Sequence, residues 1–290
     1  MEDVLTGYSK ALYASWFYYK PARLLLDAGE GIVHALGKRI FGIRKVFISH
    51  GHEDHIAGLP SLVNLRNLSM GDRQVPLRIY HPQADPFVGF LQDYLDKKQR
   101  DRLWYSMEWI ALAPGDTVEI ETARRSTRAR AFPVNHTRGW QSLGYRLEER
   151  RQRLKAEFAG LETHEVRELV REQGRESVVD VVWHPLVVYT GDARPAEDIE
   201  IFRQADLLLI DATFRNNEEA AGSRHGHIDA SIALGIQAQV KHLVLMHLSE
   251  RYTLRDIRKA IRAAGSMYGY PPQLGFFFEG RYCEMERKEE

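Results

Sequence analysis

The segment from Ser49 to His55 constrains this chain more than any other feature of its sequence. It reads Ser-His-Gly-His-Glu-Asp-His and directly follows the apolar run Val46-Phe47-Ile48. Such an arrangement of three histidines and an aspartate arises by chance in roughly one chain of this kind in a thousand. Imidazole nitrogens and carboxylate oxygens are the ordinary protein ligands of zinc. The segment therefore predicts one wall of a metal site.

The spacing within this segment favours two metal ions over one. Three imidazoles and a carboxylate on neighbouring residues cannot all reach a single tetrahedral ion without strain. His50 and His52, at positions i and i+2, can share one ion, which leaves Asp54 and His55 for a second. Two ions about 3.5–4 Å apart need further ligands and a bridging group. The rest of the chain must supply them.

Composition excludes several classes of protein and site. The 290 residues carry no net formal charge and are 44% apolar, as in an ordinary globular protein. The single cysteine, Cys283, rules out an intramolecular disulfide and a thiolate-rich metal site. No segment has the apolar length of a membrane span, and Met1-Glu2-Asp3 lacks the basic start of a secretory signal. We expect a cytoplasmic protein with no membrane partner.

Apolar runs and helical patterns alternate along the chain. Short apolar or alternating runs predict strands at 22–27, 44–48, 77–81, 117–121, 128–134, 142–147, 181–189, 205–210 and 242–246. Helical spacing predicts helices after 59, from 86, from about 155 to 173, around 232–240 and from 254. With no linker, repeat or low-complexity tract, the pattern favours one domain, residues 1–290, with a mixed sheet content.

Two of these predicted helices have clear start signals. Asp85 is placed as an N-cap before Pro86, and the aromatic and aliphatic residues that follow recur on one helical face. They are Phe87, Phe90, Leu91, Tyr94 and Leu95. Thr253, three residues before Asp256, opens a variant of the capping box.

Five candidate functional residues fall at or just past the end of a predicted strand. They are His50, His136, Asp192, Asp211 and His247. Side chains at strand ends of one sheet meet at one edge, where open α/β proteins place their ligands. A lone histidine or aspartate at such a position is usually a solvated surface residue. The first cluster already needs more ligands, and this favours a shared site.

Four stretches resemble motifs of the ribonuclease Z family in the metallo-β-lactamase superfamily. Phe47–Pro60 resembles the metallo-β-lactamase signature in its ribonuclease Z form, and Tyr189–Pro195 resembles Tyr-Thr-Gly-Asp-Thr-Arg-Pro. Asp211–Phe214 is similar to Glu-Ala-Thr-Phe, and His242–Tyr252 matches the last motif of the family. The likeness runs in family order from about Arg23 to Tyr252.

The resemblance implies a mixed α/β fold, the four-layer αββα sandwich, with two zinc ions at one edge. Manganese is the alternative metal. The ligands that it implies are His50, His52 and His136 for the first ion, Asp54, His55 and His247 for the second, and Asp192 as the bridge. Asp54 would also accept a proton during catalysis.

Three further residues receive roles from the resemblance. His227, within His225-Gly226-His227, would contact the scissile phosphate and could protonate the leaving group. Asp211, which stands where the family has glutamate, would orient His227. Arg251 could bind a substrate phosphate. The plain alternatives are a structural hydrogen bond between His227 and Asp211, and an ordinary ion pair for Arg251.

The segment Glu148–His184 departs from the family pattern. Bacterial members carry there a protruding arm with a Gly-Pro motif that grips the tRNA body, whereas this chain has no Gly-Pro pair and a predicted charged helix. Two basic clusters lie in or near the segment, and each could contact RNA or form a solvated face. They are Arg150, Arg151, Arg153 and Lys155, and Arg124, Arg125, Arg128 and Arg130.

Three hypotheses of function follow. The leading one is a dinuclear-zinc endoribonuclease that removes the 3′ trailer of precursor tRNA. The second keeps the site but assigns small phosphodiesters or cyclic nucleotides as substrates. The third is a non-catalytic, metal-bound scaffold that binds RNA. The family resemblance also suggests a homodimer.

Overall fold

The αββα order of layers is confirmed by the computed structural model, which describes residues 4–68, 75–99, 102–120, 126–194 and 198–285. Two sheets face each other, and helices cover the outer face of each. Alternate residues of the facing strands fill the interior. Phe47 of the first sheet stacks on Tyr80 with ring centroids 4.4 Å apart and meets the edge of Tyr145 of the second at 5.0 Å.

The first sheet has six strands in sequential order. They are Leu5–Lys10 (β1), Ala14–Tyr19 (β2), Leu24–Leu26 (β3), Lys45–Phe47 (β4), Leu77–Pro82 (β5) and Met107–Leu112 (β6). Strands β1, β2 and β3 are antiparallel, whereas β3, β4, β5 and β6 run parallel. Because β3, β4 and β5 are parallel, the loops that follow them emerge at the same edge of the sheet.

The second sheet has eight strands in the order β14-β13-β12-β11-β10-β9-β8-β7. They are Thr117–Ile120 (β7), Thr127–Pro133 (β8), Leu143–Leu154 (β9), Val179–Tyr189 (β10), Leu207–Asp211 (β11), His242–Met246 (β12), Gln273–Phe278 (β13) and Arg281–Glu284 (β14). Strands β10 to β13 are parallel, and their carboxyl ends also share one edge.

The helices divide between the two outer layers and one projection. They are Ile32–Leu36 (α1), Glu53–Ile56 (α2), Leu59–Leu68 (α3), Pro86–Gln99 (α4), Thr163–Gln173 (α5), Arg175–Val178 (α6), Ile228–Gln237 (α7) and Leu254–Tyr268 (α8). The first four pack on the first sheet, and α7 and α8 pack on the second. Within the described ranges, no helix is both long and apolar enough to cross a bilayer.

The predicted capping box of α8 is confirmed. Thr253 accepts from the Asp256 backbone, and the Asp256 carboxylate accepts in return from Thr253. The predicted helix from about 155 to 173 is wrong in its first half. There β9 continues to Leu154, a 3₁₀ turn covers Ala156–Phe158, and Glu162 caps a helix that begins only at Thr163.

Strands β9 and β10 extend beyond the second sheet as a two-stranded ribbon. The register of β8 with β9 ends at Glu149, and that of β11 with β10 begins at Val187. The ribbon carries α5, which buries none of its residues, and α6 at its tip. We call residues Arg151 to Val182 the arm. Glu121, Arg124 and Arg125 of the sequence predictions lie outside the described residues.

Candidate metal centre

Both sheets deliver the five predicted strand-end residues to one edge of the sandwich. His50 follows β4, His136 follows β8, Asp192 follows β10, Asp211 ends β11 and His247 follows β12. Side chains from the two sheets approach within hydrogen-bond distance of one another there. The predicted convergence therefore spans two sheets instead of one.

The first cluster consists of His50, His52 and His136. The His50 Nε2 atom lies 3.0 Å from His52 Nδ1, and His136 Nε2 lies 3.1 Å from the same atom. Nitrogens bound tetrahedrally at zinc distances would be about 3.3–3.4 Å apart. Both separations are slightly shorter than that, and one ligand atom from each of the three residues lies within 4.8 Å of the others, so small movements of the rings would let all three imidazoles bind one ion.

The second cluster consists of Asp54, His55, Asp192 and His247. Asp192 Oδ2 lies 3.0 Å from His247 Nε2 and 3.2 Å from His55 Nε2. Asp54 Oδ2 lies 3.4 Å from His247 Nε2 and 3.6 Å from His55 Nε2. Two imidazoles and two carboxylates at these separations form a second set of mixed nitrogen and oxygen donors that suits a divalent ion.

Asp192 connects the two clusters. Its Oδ2 atom also lies 4.0 Å from His136 Nε2 of the first cluster. Its Oδ1 atom is buried and has no hydrogen-bond partner among the described residues, and the same holds for His55 Nε2. Unpartnered buried polar atoms are uncommon, and two on side chains of one cluster suit the binding of a cation. The donor set therefore fits a pair of divalent ions that share Asp192.

Asp27 fixes the orientation of His55. Its fully buried carboxylate accepts from the Ser49 backbone amide at 2.6 Å, the Ser49 hydroxyl at 2.7 Å and the Tyr189 hydroxyl. His55 Nδ1 lies 2.6 Å from Asp27 Oδ2, which leaves Nε2 free to face the second cluster. A carboxylate behind a histidine in this manner sets the tautomer of a metal ligand.

Hydroxyl groups support two other imidazoles. The Ser49 hydroxyl lies 3.0 Å from His50 Nδ1, and the Thr213 hydroxyl lies 2.9 Å from His247 Nδ1. The backbone at His247 is left-handed, with φ 58°, and its amide donates to the Ser9 hydroxyl at 2.8 Å. A non-glycine residue in this region is strained, and such strain is concentrated at functional sites.

Burial and local charge shift the pKa values of histidines in the two clusters in opposite directions. Burial lowers the pKa of His50 well below its ordinary value and that of His136 to about 4. Burial also opposes a charge on His247, but the neighbouring Asp192 carboxylate raises the pKa of His247 to about 10. Burial would raise the pKa of Asp192, yet His247 and His55 hold it well below its usual value. His50 and His136 of the first cluster thus offer neutral imidazoles, whereas in the second cluster the carboxylates are balanced by protons that a metal ion can replace.

The expected pairing of Asp211 with His227 is corrected by the structure, which pairs Asp211 with His225. His225 Nδ1 lies 2.9 Å from Asp211 Oδ2, and its ring stacks on His247 with centroids 4.9 Å apart. His227 instead caps α7, where its Nδ1 accepts from the Ala230 amide. Burial opposes a charge on His225, but the hydrogen bond to Asp211 and the nearby carboxylates outweigh it, so the pKa of His225 is raised. His225 is therefore the histidine of this loop that borders the metal ligands.

Arg251 lies at the margin of the site. Its guanidinium is 5.2 Å from the Phe214 ring centroid, and that ring is 6.5 Å from the His225 ring. Its Nε atom donates to the Ser249 hydroxyl at 3.1 Å. The side chain is exposed and separated from the clusters by Phe214.

Sequence reasoning missed two residues at this site, Asp27 and His225. Asp27 also follows an apolar strand, as the five predicted residues do, and that position was the available signal. His225 stands two residues before His227, and the sequence offers no means of choosing between them.

Known proteins resemble the chain over most of its length. It matches the beta-lactamase superfamily domain over residues 22–248. It is 30% identical over 277 residues to a ribonuclease Z of Thermococcus kodakarensis, which covers 86% of this chain and 82% of that protein. The identity to a ribonuclease Z of Ignicoccus hospitalis is 31% over 285 residues, 89% and 88% of the two chains. The solved structure of human tRNase Z, short form, aligns with a TM-score of 0.62 and 20% identity over 85% of this chain and 93% of that one.

Proposed function

This chain belongs to the ribonuclease Z family of the beta-lactamase superfamily, and we propose that it removes the 3′ trailer of precursor tRNA at a two-zinc centre. Family and site together make it a metal-dependent hydrolase. The observation that carries the proposal is the position of Asp192, whose Oδ2 atom lies 3.0 Å from His247 Nε2 and 4.0 Å from His136 Nε2. One carboxylate within reach of both clusters is what a dinuclear site requires.

Each ion has its own set of proposed ligands. His50, His52 and His136 would hold the first, Asp54, His55 and His247 the second, and Asp192 both. Zinc ions there would polarise the scissile phosphate and activate water for attack on phosphorus.

Two side chains of the site are proposed to handle protons. Asp54 is the cluster carboxylate that solvent reaches, with its side chain 14% exposed against 2% for Asp192, and it is the proposed proton acceptor. His225 Nδ1 is engaged by Asp211, so its Nε2 is the atom left to donate a proton to the departing oxygen. Asp211 would act through His225, so we assign it as a positioning residue.

The arm supports RNA as the substrate. It projects from the sheet that carries Asp192, and α5 at its tip buries no residue of its own, so it presents a free surface to a large ligand. The relatives from Thermococcus kodakarensis and Ignicoccus hospitalis are named ribonuclease Z. We infer that the arm contacts the tRNA body while the metal centre cleaves at its 3′ end.

A specific observation favours the alternative, a phosphodiesterase for small diesters. Between Glu148 and His184 the chain has nine acidic and seven basic residues, so this segment offers no net positive charge to a phosphate backbone. Arg128 and Arg151 are in addition paired with Glu148 and Glu149, at 2.8 and 2.5 Å.

A two-substrate assay with a shortened arm separates these functions. Leu154 and Val179 face each other in the ribbon, so an Asn-Gly turn can replace residues 155–178. We expect the zinc-loaded protein to cut precursor tRNA and bis(p-nitrophenyl) phosphate. The shortened protein should keep the small-ester activity and lose at least about tenfold in kcat/KM for tRNA.

The other outcomes have clear meanings. Hydrolysis of the small ester without cleavage of precursor tRNA by the complete chain would support the alternative function. Hydrolysis of neither, with two metal ions bound per chain, would leave the scaffold hypothesis.

The role of His225 is tested against its neighbour. We expect His225→Ala to keep its bound metal and to slow turnover by about 10²–10⁴. His227→Ser, which preserves a cap for α7, serves as the matched control and should turn over at nearly the normal rate. The reverse result would return the catalytic role to His227.

A further inference from the structure

Helix α4 turns its aromatic residues towards solvent. The predicted apolar face is not buried as a whole, because Leu95 is fully buried whereas Phe87, Phe90 and Tyr94 are 39%, 69% and 48% exposed. Val88, which lay outside the predicted face, is also fully buried. Burying an aromatic ring is strongly favourable, so rings exposed together on one helix indicate a surface that a ligand covers. The packing of this helix on the first sheet does not use them.

Two of these rings form a continuous surface with Trp140. The Phe87 ring meets Trp140 edge to face at 5.3 Å and Phe90 at 6.5 Å between centroids. Trp140 lies four residues after His136, and its carbonyl accepts from the Thr137 hydroxyl at 2.7 Å. We call Phe87, Phe90 and Trp140 the aromatic platform.

The aromatic platform is fixed to the loop that carries the first cluster. The Gly51 amide, between His50 and His52, donates to Asp85 Oδ2 at 2.7 Å, and Asp85 Oδ1 accepts from the Phe87 amide at 2.9 Å. A β-carbon placed on Gly51 would lie 2.7 Å from Phe87 Cβ. The platform therefore directly borders the metal centre.

Its surroundings favour an uncharged, flat ligand over a phosphate. Beyond Phe90 the same helix presents two acidic and two basic side chains, Asp93, Asp96, Lys97 and Lys98, so this stretch offers no net positive charge to a phosphate group. Tyr94 then accepts a hydrogen bond from Lys98 at 3.0 Å. Nucleobases stack on such rings whatever their sequence, and single-stranded RNA is bound in this way by many proteins.

We propose that the aromatic platform stacks the nucleobase of a nucleotide adjacent to the phosphodiester held at the metal centre. The inference rests on the proposed phosphodiesterase function and adds to it a subsite for an unpaired base. A chain end that is single-stranded, with its base free to leave a helical stack, is the substrate that such a subsite selects.

The test compares esters with and without a base. Thymidine 3′- and 5′-(p-nitrophenyl phosphate) carry thymine on either side of the phosphate, and methyl p-nitrophenyl phosphate has none. The quantity compared is the kcat/KM for a thymidine ester divided by the kcat/KM for the methyl ester. We expect Phe90→Ala to reduce this ratio about tenfold for one of the two thymidine isomers. Phe90→Tyr should restore the ratio. Tyr268→Ala, which removes a 38% exposed ring from α8 on the opposite face, is the matched control and should leave it unchanged.

Three results would overturn the proposal. In the first, Phe90→Ala leaves the ratio unchanged for both thymidine isomers. In the second, it reduces kcat/KM for the methyl ester as much as for the thymidine esters. In the third, it dissociates a dimer, as seen by sedimentation velocity, without a change in the ratio. The last would identify the platform as a contact between two copies of this chain.

A binding measurement keeps the platform distinct from the proposed function. If the protein hydrolyses none of the esters, the proposed function is wrong. The platform can still be tested, because tryptophan fluorescence measures the affinity of the protein for uridine 5′-phosphate. Wild type should bind about tenfold more tightly than Phe90→Ala. Equal affinities would contradict base stacking at this surface.

Discussion

Replacing Asp27 by asparagine tests how the protein holds His55. Asp27 Oδ2 faces three groups, the Ser49 hydroxyl, His55 Nδ1 and the Tyr189 hydroxyl, while Oδ1 accepts from the Ser49 amide. An asparagine keeps one acceptor and turns two N–H bonds towards those three groups. Losing two hydrogen bonds to a charged acceptor at a fully buried position should reduce the free energy of unfolding by about 3–6 kcal/mol.

The same substitution should also release metal. To accept from the new amide, His55 must place its proton on Nε2, which is the atom that faces Asp54 and Asp192. A protonated nitrogen cannot bind a metal ion, so the affinity of the second site should fall by about 10–100-fold or more.

Urea unfolding and metal content per chain measure the two effects. Asp256→Asn is the matched control, because it removes a carboxylate with several hydrogen bonds far from the metal ligands and should lower stability without metal loss. If Asp27→Asn unfolded within about 0.5 kcal/mol of wild type and kept both ions, the tautomer argument would be refuted.

Two further changes follow from local packing and burial. A β-carbon at Gly51 would lie 2.5 Å from Asp85 Oδ1 and 2.7 Å from Phe87 Cβ. Gly51→Ala should therefore lower the free energy of unfolding by about 1–3 kcal/mol. An unchanged midpoint of urea unfolding would contradict this expectation. Burial lowers the pKa of His242, which is 9% exposed and lies 3.0 Å from the Tyr282 hydroxyl, to about 4. In the unfolded chain His242 gains a proton below about pH 6.5, whereas in the folded protein it stays neutral. The free energy of unfolding should therefore decrease as the pH is lowered, by about 2 kcal/mol from pH 7 to pH 5. His242→Phe should flatten that decline in urea titrations at the two pH values, and an equal slope would exclude His242 as its source.

Residues whose type and spacing suit metal binding could be identified from the sequence. The histidine cluster after β4 and the strand-end residues Asp192 and His247 came from residue type and position, and the structure brings them within 3.0–3.6 Å of one another in the second cluster. The choice between His225 and His227 could not be made, because it depends on backbone pairing. A bridge between Phe214 and His227 fixes His227 at the start of α7 and so leaves His225 to meet Asp211.

Strand β2 also escaped prediction. Ala14–Tyr19 is buried at every position, so β2 lacks the period of two that marks a half-exposed strand. On α4, helical spacing grouped Phe90 and Leu95 on one face, yet Phe90 is exposed and Leu95 is buried. Hydrophobicity alone does not distinguish a ring that fills a core from one that a ligand covers.

We propose that Asp192 joins two metal sites into one centre, and elemental analysis of the metal bound per chain tests this proposal. We expect the wild-type chain to bind two divalent ions and Asp192→Ala to bind fewer than one. The substitution removes the carboxylate oxygen that lies 3.0 Å from His247 Nε2, 3.2 Å from His55 Nε2 and 4.0 Å from His136 Nε2. A single ion in wild type, or two ions retained by folded Asp192→Ala, would contradict it.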